Sequence, residues 1–253
     1  MSALNNPLER RDSPLLCYVT DRHALPATKA GDSLVGLARK IEEVIAAGVD
    51  WVQIREKDLP ATELSSLTRQ TLQAAARSSG MRQSTTRVLV RVLVNDRLDV
   101  ALAEHAGGVH LGEKSIPVGE AKRLIQLRLP KPASAASFLI GVSCHSLESA
   151  QDAERSGADY IFFGPVFSTP SKEQFGPPQG IERLAEVCRS LSIPVLAIGG
   201  ITLDNAESCI FGGAAGIAAI RLFQDARAPS STIQQLHQRL TGFHLRPPAD
   251  QRR

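Results

Sequence analysis

The stretch VLAIGGITLDNAESCIFGGAAGIAAIRL, residues 195–222, contains the repeating unit on which the fold depends. Two short apolar runs, 195–200 and 216–222, flank a segment, 203–211, whose apolar residues recur with a helical period. Short continuous apolar runs are typical of strands that are buried on both faces, as in parallel sheets. The stretch therefore predicts a strand, a helix and a second strand parallel to the first.

The same alternation runs through the rest of the chain. Further predicted strands cover 15–21, 51–56, 88–96, 108–112, 139–144 and 160–166. The predicted helices that follow the strands cover 33–47, 61–77, 97–105, 118–127, 146–156, 181–190 and, after the last strand, 231–240. Eight strand–helix pairs without a change in composition predict an α/β fold, a single parallel (β/α)8 TIM barrel.

The predicted barrel domain spans residues 14–243, between an N-terminal tail at 1–13 and a C-terminal tail at 244–253 that we expect to be disordered. Two segments rich in small and polar residues, 78–86 and 130–137, precede strands and are predicted insertions on the face opposite the site. A doubly wound open sheet is the alternative fold. Such a sheet more usually has a glycine-rich loop after its first strand, whereas the glycine clusters here follow the last two.

The composition is consistent with one barrel and limits the kinds of partner that we expect. The 253 residues match the roughly 250 that such barrels need, and 43% of them are hydrophobic but only 4% aromatic, which favours a core of branched aliphatic residues. The net charge of +3 comes without a basic stripe, so we expect no nucleic-acid partner. The four cysteines lack CxxC spacing and are predicted to be free thiols. Without an apolar span or leader, we expect a cytoplasmic protein that is not bound to membranes; the sequence leaves its oligomeric state open.

Polar residues follow most of the predicted strands, and in a barrel these positions face the active site. Alternation along a strand places Gln53, Arg55 and Lys57 on one side, and likewise Ser143 and His145. The other strand-end candidates are Thr20, Asp21, Asn95, Asp96, His110, Glu113, Ser115, Ser168, Thr169, Ser171, Lys172, Gly199, Gly200, Ile220 and Arg221.

The sequence predicts two anion sites. Gly199 and Gly200 allow backbone N–H groups to approach a phosphate, and Thr202 is a candidate cap for the next helix; glycines that merely permit a tight turn are the alternative. Arg55, Lys57 and Lys172 near Asp96 suggest a second anion with Mg²⁺ beside it, although residues 55–57 alone could be a surface charge run.

Two further features indicate catalysis. His145 is a candidate general acid or base, with a purely structural hydrogen bond as the alternative. The loop 167–179 has Pro and Gly at both ends and polar residues within, which predicts a lid that excludes water; a plain surface loop is the alternative.

Eight motifs in order carry a resemblance to a known family. They are YVTD (18–21), VQIREK (52–57), VND (94–96), GVHLG (108–112), GVSCHS (141–146), GADYIFFGPVFSTPSK (157–172), AIGGIT (197–202) and GAAGIAAI (213–220). From about residue 16 to 223, the chain resembles the thiamine-phosphate synthases and the related thiazole tautomerases.

The resemblance implies an enzyme that joins a pyrimidine-methyl diphosphate to a thiazole phosphate and releases pyrophosphate, with diphosphate leaving first. It implies Mg²⁺ bound by Asp96, and catalytic roles for Lys172, Ser143 and His145. The implied ligands of the pyrimidine diphosphate are Gln53, Arg55, Glu56, Lys57, Asn95, Ser143 and Lys172, and those of the thiazole phosphate are Thr169, Ser171, Gly200, Ile220 and Arg221.

The chain departs from the synthase pattern at two positions. Ser115 stands where a second Mg²⁺-binding aspartate is expected, which leaves Glu113 as a substitute or Asp96 as the single protein ligand. Arg221 stands where a small hydroxyl residue is expected. Both departures favour the tautomerase branch, in which His145 would move a proton and no metal is required. Ser115 also leaves open a non-catalytic binder of thiamine-related phosphates. Lys57, the pair at 95–96 and the TPSK segment (169–172) favour the synthase.

Overall fold

The structure, a computed structural model, describes residues 13–25, 33–79, 90–129, 138–169 and 177–240. Within them, eight strands form a closed barrel in the order β1-β2-β3-β4-β5-β6-β7-β8, and every neighbouring pair is parallel. The predicted (β/α)8 barrel is confirmed, and the open-sheet alternative is wrong because β1 pairs with β8.

The strands and helices alternate along the described chain. The strands are β1 (Leu15–Val19), β2 (Trp51–Ile54), β3 (Arg91–Asn95), β4 (Gly108–Leu111), β5 (Leu139–Cys144), β6 (Tyr160–Phe163), β7 (Val195–Ile198) and β8 (Gly216–Ala219). The helices are α1 (Ser33–Ala47), α2 (Ala61–Ser79), α3 (Leu98–Ala103), α4 (Val118–Arg128), α5 (Leu147–Arg155), α6 (Gly180–Ser190), α7 (Ala206–Phe211), α8 (Arg221–Gln224) and α9 (Pro229–Leu240). A 3-10 turn, Arg22–Ala24, follows β1.

The end of the barrel differs most from the prediction. The strand predicted over 216–222 ends at Ala219, and the next residues form the short helix α8. The backbone of Ile220 has already left the extended region, and the turn buries Phe223 against the core. The apolar run therefore extends beyond the strand because its last residues belong to helix α8.

Three aromatic side chains, Trp51, Tyr160 and Phe162, lie among the aliphatic residues of the barrel interior, although aromatic residues are rare in the sequence. The centre of the Trp51 ring lies 4.9 Å from that of Tyr160, and the centre of the His110 ring lies 4.2 Å from that of Phe162. Alternation along β2, β4 and β6 directs these rings into the barrel, where His110 is hydrogen-bonded to Ser143. The layer between strands and helices is mostly aliphatic, as expected, with Tyr18, Phe138, Phe163 and Phe223 among its members.

Other expectations fall partly outside the described residues. The tails 1–12 and 244–253 and the insertion segments 80–86 and 130–137 lie outside them, while residues 78 and 79 extend α2. The four cysteines are free thiols, three of them buried and Cys188 half-buried. Among the described residues, no helix combines the length and apolarity that crossing a membrane requires.

Candidate active site

A chain of amide and carboxylate side chains connects the carboxyl ends of β2 and β3. Gln53 Nε2 donates to Asn95 Oδ1 over 2.9 Å, and Asn95 Nδ2 donates to Asp96 Oδ2 over 2.7 Å. Gln53 is only 2% exposed, and its Oε1 atom is buried without a hydrogen-bond partner among the described residues. Because an unpaired buried acceptor is costly, this oxygen marks a position where a ligand would supply a donor.

The loop after β4 holds the Asp96 carboxylate. Asp96 adopts a left-handed backbone conformation, with φ of 59°, and its Oδ1 accepts from the Gly112 N–H over 3.1 Å. Ser115 Oγ also donates to Asp96 Oδ1, while it accepts from the same N–H of Gly112 over 2.7 Å. Ser115, which stands where the resemblance predicts a second carboxylate, thus contacts the Asp96 carboxylate with a neutral hydroxyl.

The possible metal ligands in this region are few. The described residues contain no group of three or more His, Cys, Asp or Glu side chains able to hold a metal ion. Glu113, the predicted substitute for the missing aspartate, is mostly exposed and places Oε1 3.9 Å from His145 Nε2. Mg²⁺ in phosphate sites usually takes one or two carboxylates and completes its shell with water and phosphate oxygens. The Asp96 carboxylate beside the Ser115 hydroxyl is compatible with that pattern.

A buried histidine lies between Ser143 and a tyrosine inside the barrel. His110, on β4, is 1% exposed; its Nε2 lies 2.9 Å from Ser143 Oγ, and its Nδ1 lies 3.1 Å from the Tyr160 hydroxyl. Burial lowers the pKa of His110 to about 3, with Arg55 also lowering it and Asp96 opposing. The imidazole is therefore neutral at physiological pH. The sequence marked His110 as a strand-end residue but gave no signal for its link to Tyr160.

His145 follows β5 and is held by the loop after β6. Its Nδ1 is hydrogen-bonded to the Gly164 carbonyl, which can only accept, so Nδ1 carries the proton. In the neutral ring, Nε2 is then the free lone pair, on the side that faces Glu113. His145 therefore makes a structural hydrogen bond through Nδ1 and keeps a lone pair on Nε2 that can accept a proton.

The loops after β1 and β2 are joined by a clamp that orients the predicted diphosphate ligands. Thr20 Oγ donates to Glu56 Oε1 over 2.7 Å and accepts from the Arg55 N–H over 2.9 Å. Arg22 reaches Glu56 over 3.1 Å and Asp58 with two bonds of 2.6 and 2.5 Å. Glu56 is buried with these protein partners, whereas its neighbours in the chain, Arg55 and Lys57, are half-buried and exposed.

The base of the predicted lid is closed by backbone hydrogen bonds. Gln179 N donates to Pro165 O over 2.8 Å, and Gly180 N donates to Val166 O over 3.0 Å, so the loop returns to its starting point. Thr169, at its described end, is half-buried. Ser171 and Lys172 lie outside the described residues, and their predicted roles stay predictions.

The glycine pair after β7 packs directly against the start of this loop. Gly199 and Gly200 have φ values of 96° and 65°, and a Cβ atom on Gly200 would lie 2.5 Å from Ser168 O. Asn205, not the predicted Thr202, occupies the N-cap position of α7. Its side chain donates to Gly200 O over 2.9 Å and accepts from Thr202 N over 2.8 Å, because an amide can bridge both groups of the turn.

Helix α8 follows β8 at the same end of the barrel. Ile220 precedes this helix and Arg221, exposed, begins it, so neither lies on the strand as predicted. Gln224, at the end of α8, is buried; it accepts from the Tyr18 hydroxyl over 2.9 Å and donates to Asp21 O over 2.7 Å. The last loop of the barrel is thereby attached to the end of β1.

The structure therefore joins some of the predicted site residues by hydrogen bonds, in two separate groups. One hydrogen-bonded chain joins Gln53, Asn95, Asp96 and Ser115, and a second joins Ser143 to His110. Both groups lie at the carboxyl ends of β2 to β5.

Comparisons with known proteins agree on one family. The family model described as thiamine monophosphate synthase matches residues 16–223. The chain is 42% identical over 205 residues to a putative thiamine-phosphate synthase from Geobacter sulfurreducens, covering 81% of this chain and 84% of that one. It is 38% identical over 223 residues to a thiamine-phosphate synthase from Roseiflexus sp., covering 88% and 84%. The solved thiamine phosphate pyrophosphorylase from Pyrococcus furiosus superposes with a TM-score of 0.72 at 30% identity, covering 92% of this chain and 98% of that one.

Proposed function

The chain belongs to the thiamine monophosphate synthase family, and we propose that it is a transferase that makes thiamine phosphate. It would join 4-amino-2-methyl-5-(diphosphooxymethyl)pyrimidine to a thiazole phosphate and release pyrophosphate. The bond between the pyrimidine methylene carbon and the diphosphate oxygen breaks, and the diphosphate keeps the electron pair. The thiazole nitrogen then supplies a lone pair to the methylene carbon.

The observation that carries the proposal is the unpartnered Oε1 of Gln53. A buried carbonyl oxygen at the carboxyl end of β2 requires a donor, and the exocyclic amino group of the pyrimidine is one. The Asn95 bond holds the amide of Gln53 in the orientation that leaves Oε1, not Nε2, for the substrate. Ser143 would complete the recognition of the ring.

Positive side chains support the departure of the diphosphate. Arg55 and Lys57 flank the clamped Glu56, and Lys172 in the lid is the third predicted cation. Fixed cations stabilise a leaving group that gains negative charge, and a closed lid keeps water from the cationic pyrimidine intermediate. Asp96 with Ser115 would hold Mg²⁺, which when bound would neutralise diphosphate charge. Glu56, already bonded within the protein, would act by holding its neighbours.

The thiazole phosphate would bind between the lid and the last two βα loops. Barrels commonly hold phosphate with the loops after strands 7 and 8. The open backbone at Gly200 lies against Ser168, close along the chain to Thr169 and Ser171. Ile220 and Arg221 would close the site from α8, and the Arg221 guanidinium is suited to phosphate oxygens.

Turnover by the purified chain tests the proposal. We expect pyrophosphate release that requires both substrates and Mg²⁺, measured by a coupled phosphate assay, with thiamine phosphate detected by chromatography. Binding of both ligands without any release would contradict the synthase proposal and identify a non-catalytic binder.

The geometry of His145 favours a second candidate, an aromatising isomerase of the thiazole phosphate. With Nδ1–H bonded to Gly164 O, Nε2 is available to move a proton. Aromatisation without pyrophosphate release, lost in His145→Ala, would select this function over the synthase. In the synthase, His145→Ala leaves the requirement for both substrates intact.

A further inference from the structure

We infer that Tyr160 and His110 are positioning residues that fix the direction of the Ser143 hydrogen bond, so that Ser143 donates to the substrate and selects a ring nitrogen. The inference rests on the proposed function, because it concerns how the same site recognises its aminopyrimidine. It assigns a role to two residues inside the barrel, of which the sequence marked only His110, and that one as a strand-end residue without a stated role.

The direction follows from the hydrogen bonds of a neutral imidazole, which has one N–H and one lone pair. In one arrangement, the Tyr160 hydroxyl donates to His110 Nδ1, and His110 Nε2–H donates to Ser143 Oγ. In the reverse arrangement, Ser143 donates to Nε2, and Nδ1–H donates to the Tyr160 oxygen. Only the first leaves the Ser143 proton for a ligand.

The surroundings of Tyr160 decide between the two arrangements. The residue is fully buried, and its ring lies among those of Trp51, Phe162 and His110. His110 Nδ1 is the hydrogen-bond partner that the structure gives its hydroxyl within the described chain. In the reverse arrangement the phenolic proton would therefore be buried without an acceptor, which is costly. The first arrangement satisfies the Tyr160 hydroxyl and both nitrogens of His110, and it leaves the half-buried Ser143 hydroxyl to donate to a ligand.

The consequence for recognition is a defined pattern of polar atoms. Gln53 offers an acceptor and Ser143 offers a donor. A 4-aminopyrimidine presents an amino donor and ring-nitrogen acceptors, so it matches both groups. A 4-oxopyrimidine presents a carbonyl to the Gln53 oxygen and replaces one ring nitrogen by N–H, so it opposes this pattern. Buried polar groups that are left unpaired reject such analogues strongly.

The test removes the hydroxyl that fixes the direction. In Tyr160→Phe, we expect KM for the pyrimidine diphosphate to rise about tenfold while KM for the thiazole phosphate stays unchanged, as for loss of one well-placed hydrogen bond. Tyr18→Phe is the matched control, because Tyr18 is equally buried, its hydroxyl donates to Gln224, and β1 lies across the barrel from β5, which carries Ser143. The control should lower the melting temperature without a selective rise in KM for the pyrimidine.

A double-mutant cycle separates positioning from a general structural effect. If Tyr160 acts through Ser143, Tyr160→Phe has no further effect on the pyrimidine KM in a Ser143→Ala background. An undiminished effect in that background, or an equal rise of both KM values, would overturn the inference. If Tyr160→Phe does not fold, His110→Gln interrupts the same chain from the other end and carries the same prediction.

Equilibrium binding distinguishes this inference from the proposed reaction. Calorimetry with the aminopyrimidine diphosphate alone, and with its 4-oxo analogue, measures recognition without turnover. Tighter binding of the amino compound to wild type, weakened about tenfold in Tyr160→Phe, supports the inference even if no pyrophosphate is released. Equal affinity of wild type for both compounds overturns it even if turnover is observed.

Discussion

The two halves of the carboxyl end of the barrel differ in the groups that line them, which are side chains in one half and backbone groups in the other. On the side of β2 to β5, side chains line the candidate site: Gln53 is hydrogen-bonded to Asn95, and Asn95 to Asp96. On the side of β6 to β8, backbone groups line it: the turn at Gly199 and Gly200 packs against residues 167 and 168, and backbone hydrogen bonds join residues 179 and 180 to 165 and 166. The first half is therefore sensitive to the charge and polarity of single groups, and the second to backbone conformation.

The largest expected effect comes from removing a charge in the first half. Asp96→Asn keeps the size of the side chain but loses the carboxylate that would hold Mg²⁺, so we expect turnover to fall about 1,000-fold, for several kcal/mol of charge stabilisation. The affinity for thiazole phosphate should change little, because that ligand would bind in the other half. Pyrophosphate release and calorimetry measure the two quantities.

Asp99→Asn is the matched control for this change. Asp99 lies three residues further along the chain and pairs with Arg97 at the surface, 2.6 Å away. We expect wild-type turnover in this variant. An equal loss of turnover and of thiazole phosphate affinity in Asp96→Asn would contradict the assignment of Asp96 as the metal ligand.

A smaller effect is expected from a methyl group in the second half. In Gly200→Ala, the new Cβ would meet Ser168 O at 2.5 Å in a backbone conformation that L-residues avoid, so the turn must shift. The strain alone costs about 1–2 kcal/mol. We expect KM for thiazole phosphate to rise about tenfold, the effect of about 1.4 kcal/mol, with KM for the pyrimidine unchanged.

Gly180→Ala separates strain from contact in that experiment. Gly180 also has a positive φ, of 77°, but a Cβ there would have no heavy atom within 4 Å. Thermal unfolding should show destabilisation in both variants, and steady-state kinetics should show the KM change only in Gly200→Ala. A similar rise in KM for Gly180→Ala would mean that strain at the base of the lid, not the turn at Gly200, sets phosphate binding.

The same contrast explains what the sequence could predict. Apolar runs predicted the eight strands, because strands that are buried on both faces consist almost entirely of apolar residues. The helical period predicted the helices between them. Candidate site residues such as Asp96 could be selected because strand ends are easily located in the sequence. The partners of these groups could not be selected: Tyr160 looks like another apolar strand residue, and only the closed barrel places it beside His110. Likewise, Asn205 acts through two backbone groups of a turn, which no spacing in the sequence specifies.

The last expected effect changes the Mg²⁺ requirement rather than the maximal turnover, and it tests the charge at the candidate Mg²⁺ site in the first half. Ser115→Asp would place a second carboxylate against Asp96, where the native hydroxyl now donates. Two adjacent carboxylates repel when no cation lies between them, so we expect lower thermal stability without Mg²⁺ and recovery of stability as Mg²⁺ is added. The Mg²⁺ concentration for half-maximal turnover should fall about tenfold, since each added ligand charge tightens such sites. Ser115→Ala, which removes the hydroxyl without adding charge, should neither gain stability from added Mg²⁺ nor lower the Mg²⁺ concentration for half-maximal turnover, and loss of the hydroxyl should instead raise that concentration. Stability of Ser115→Asp that does not respond to Mg²⁺ would place the cation elsewhere.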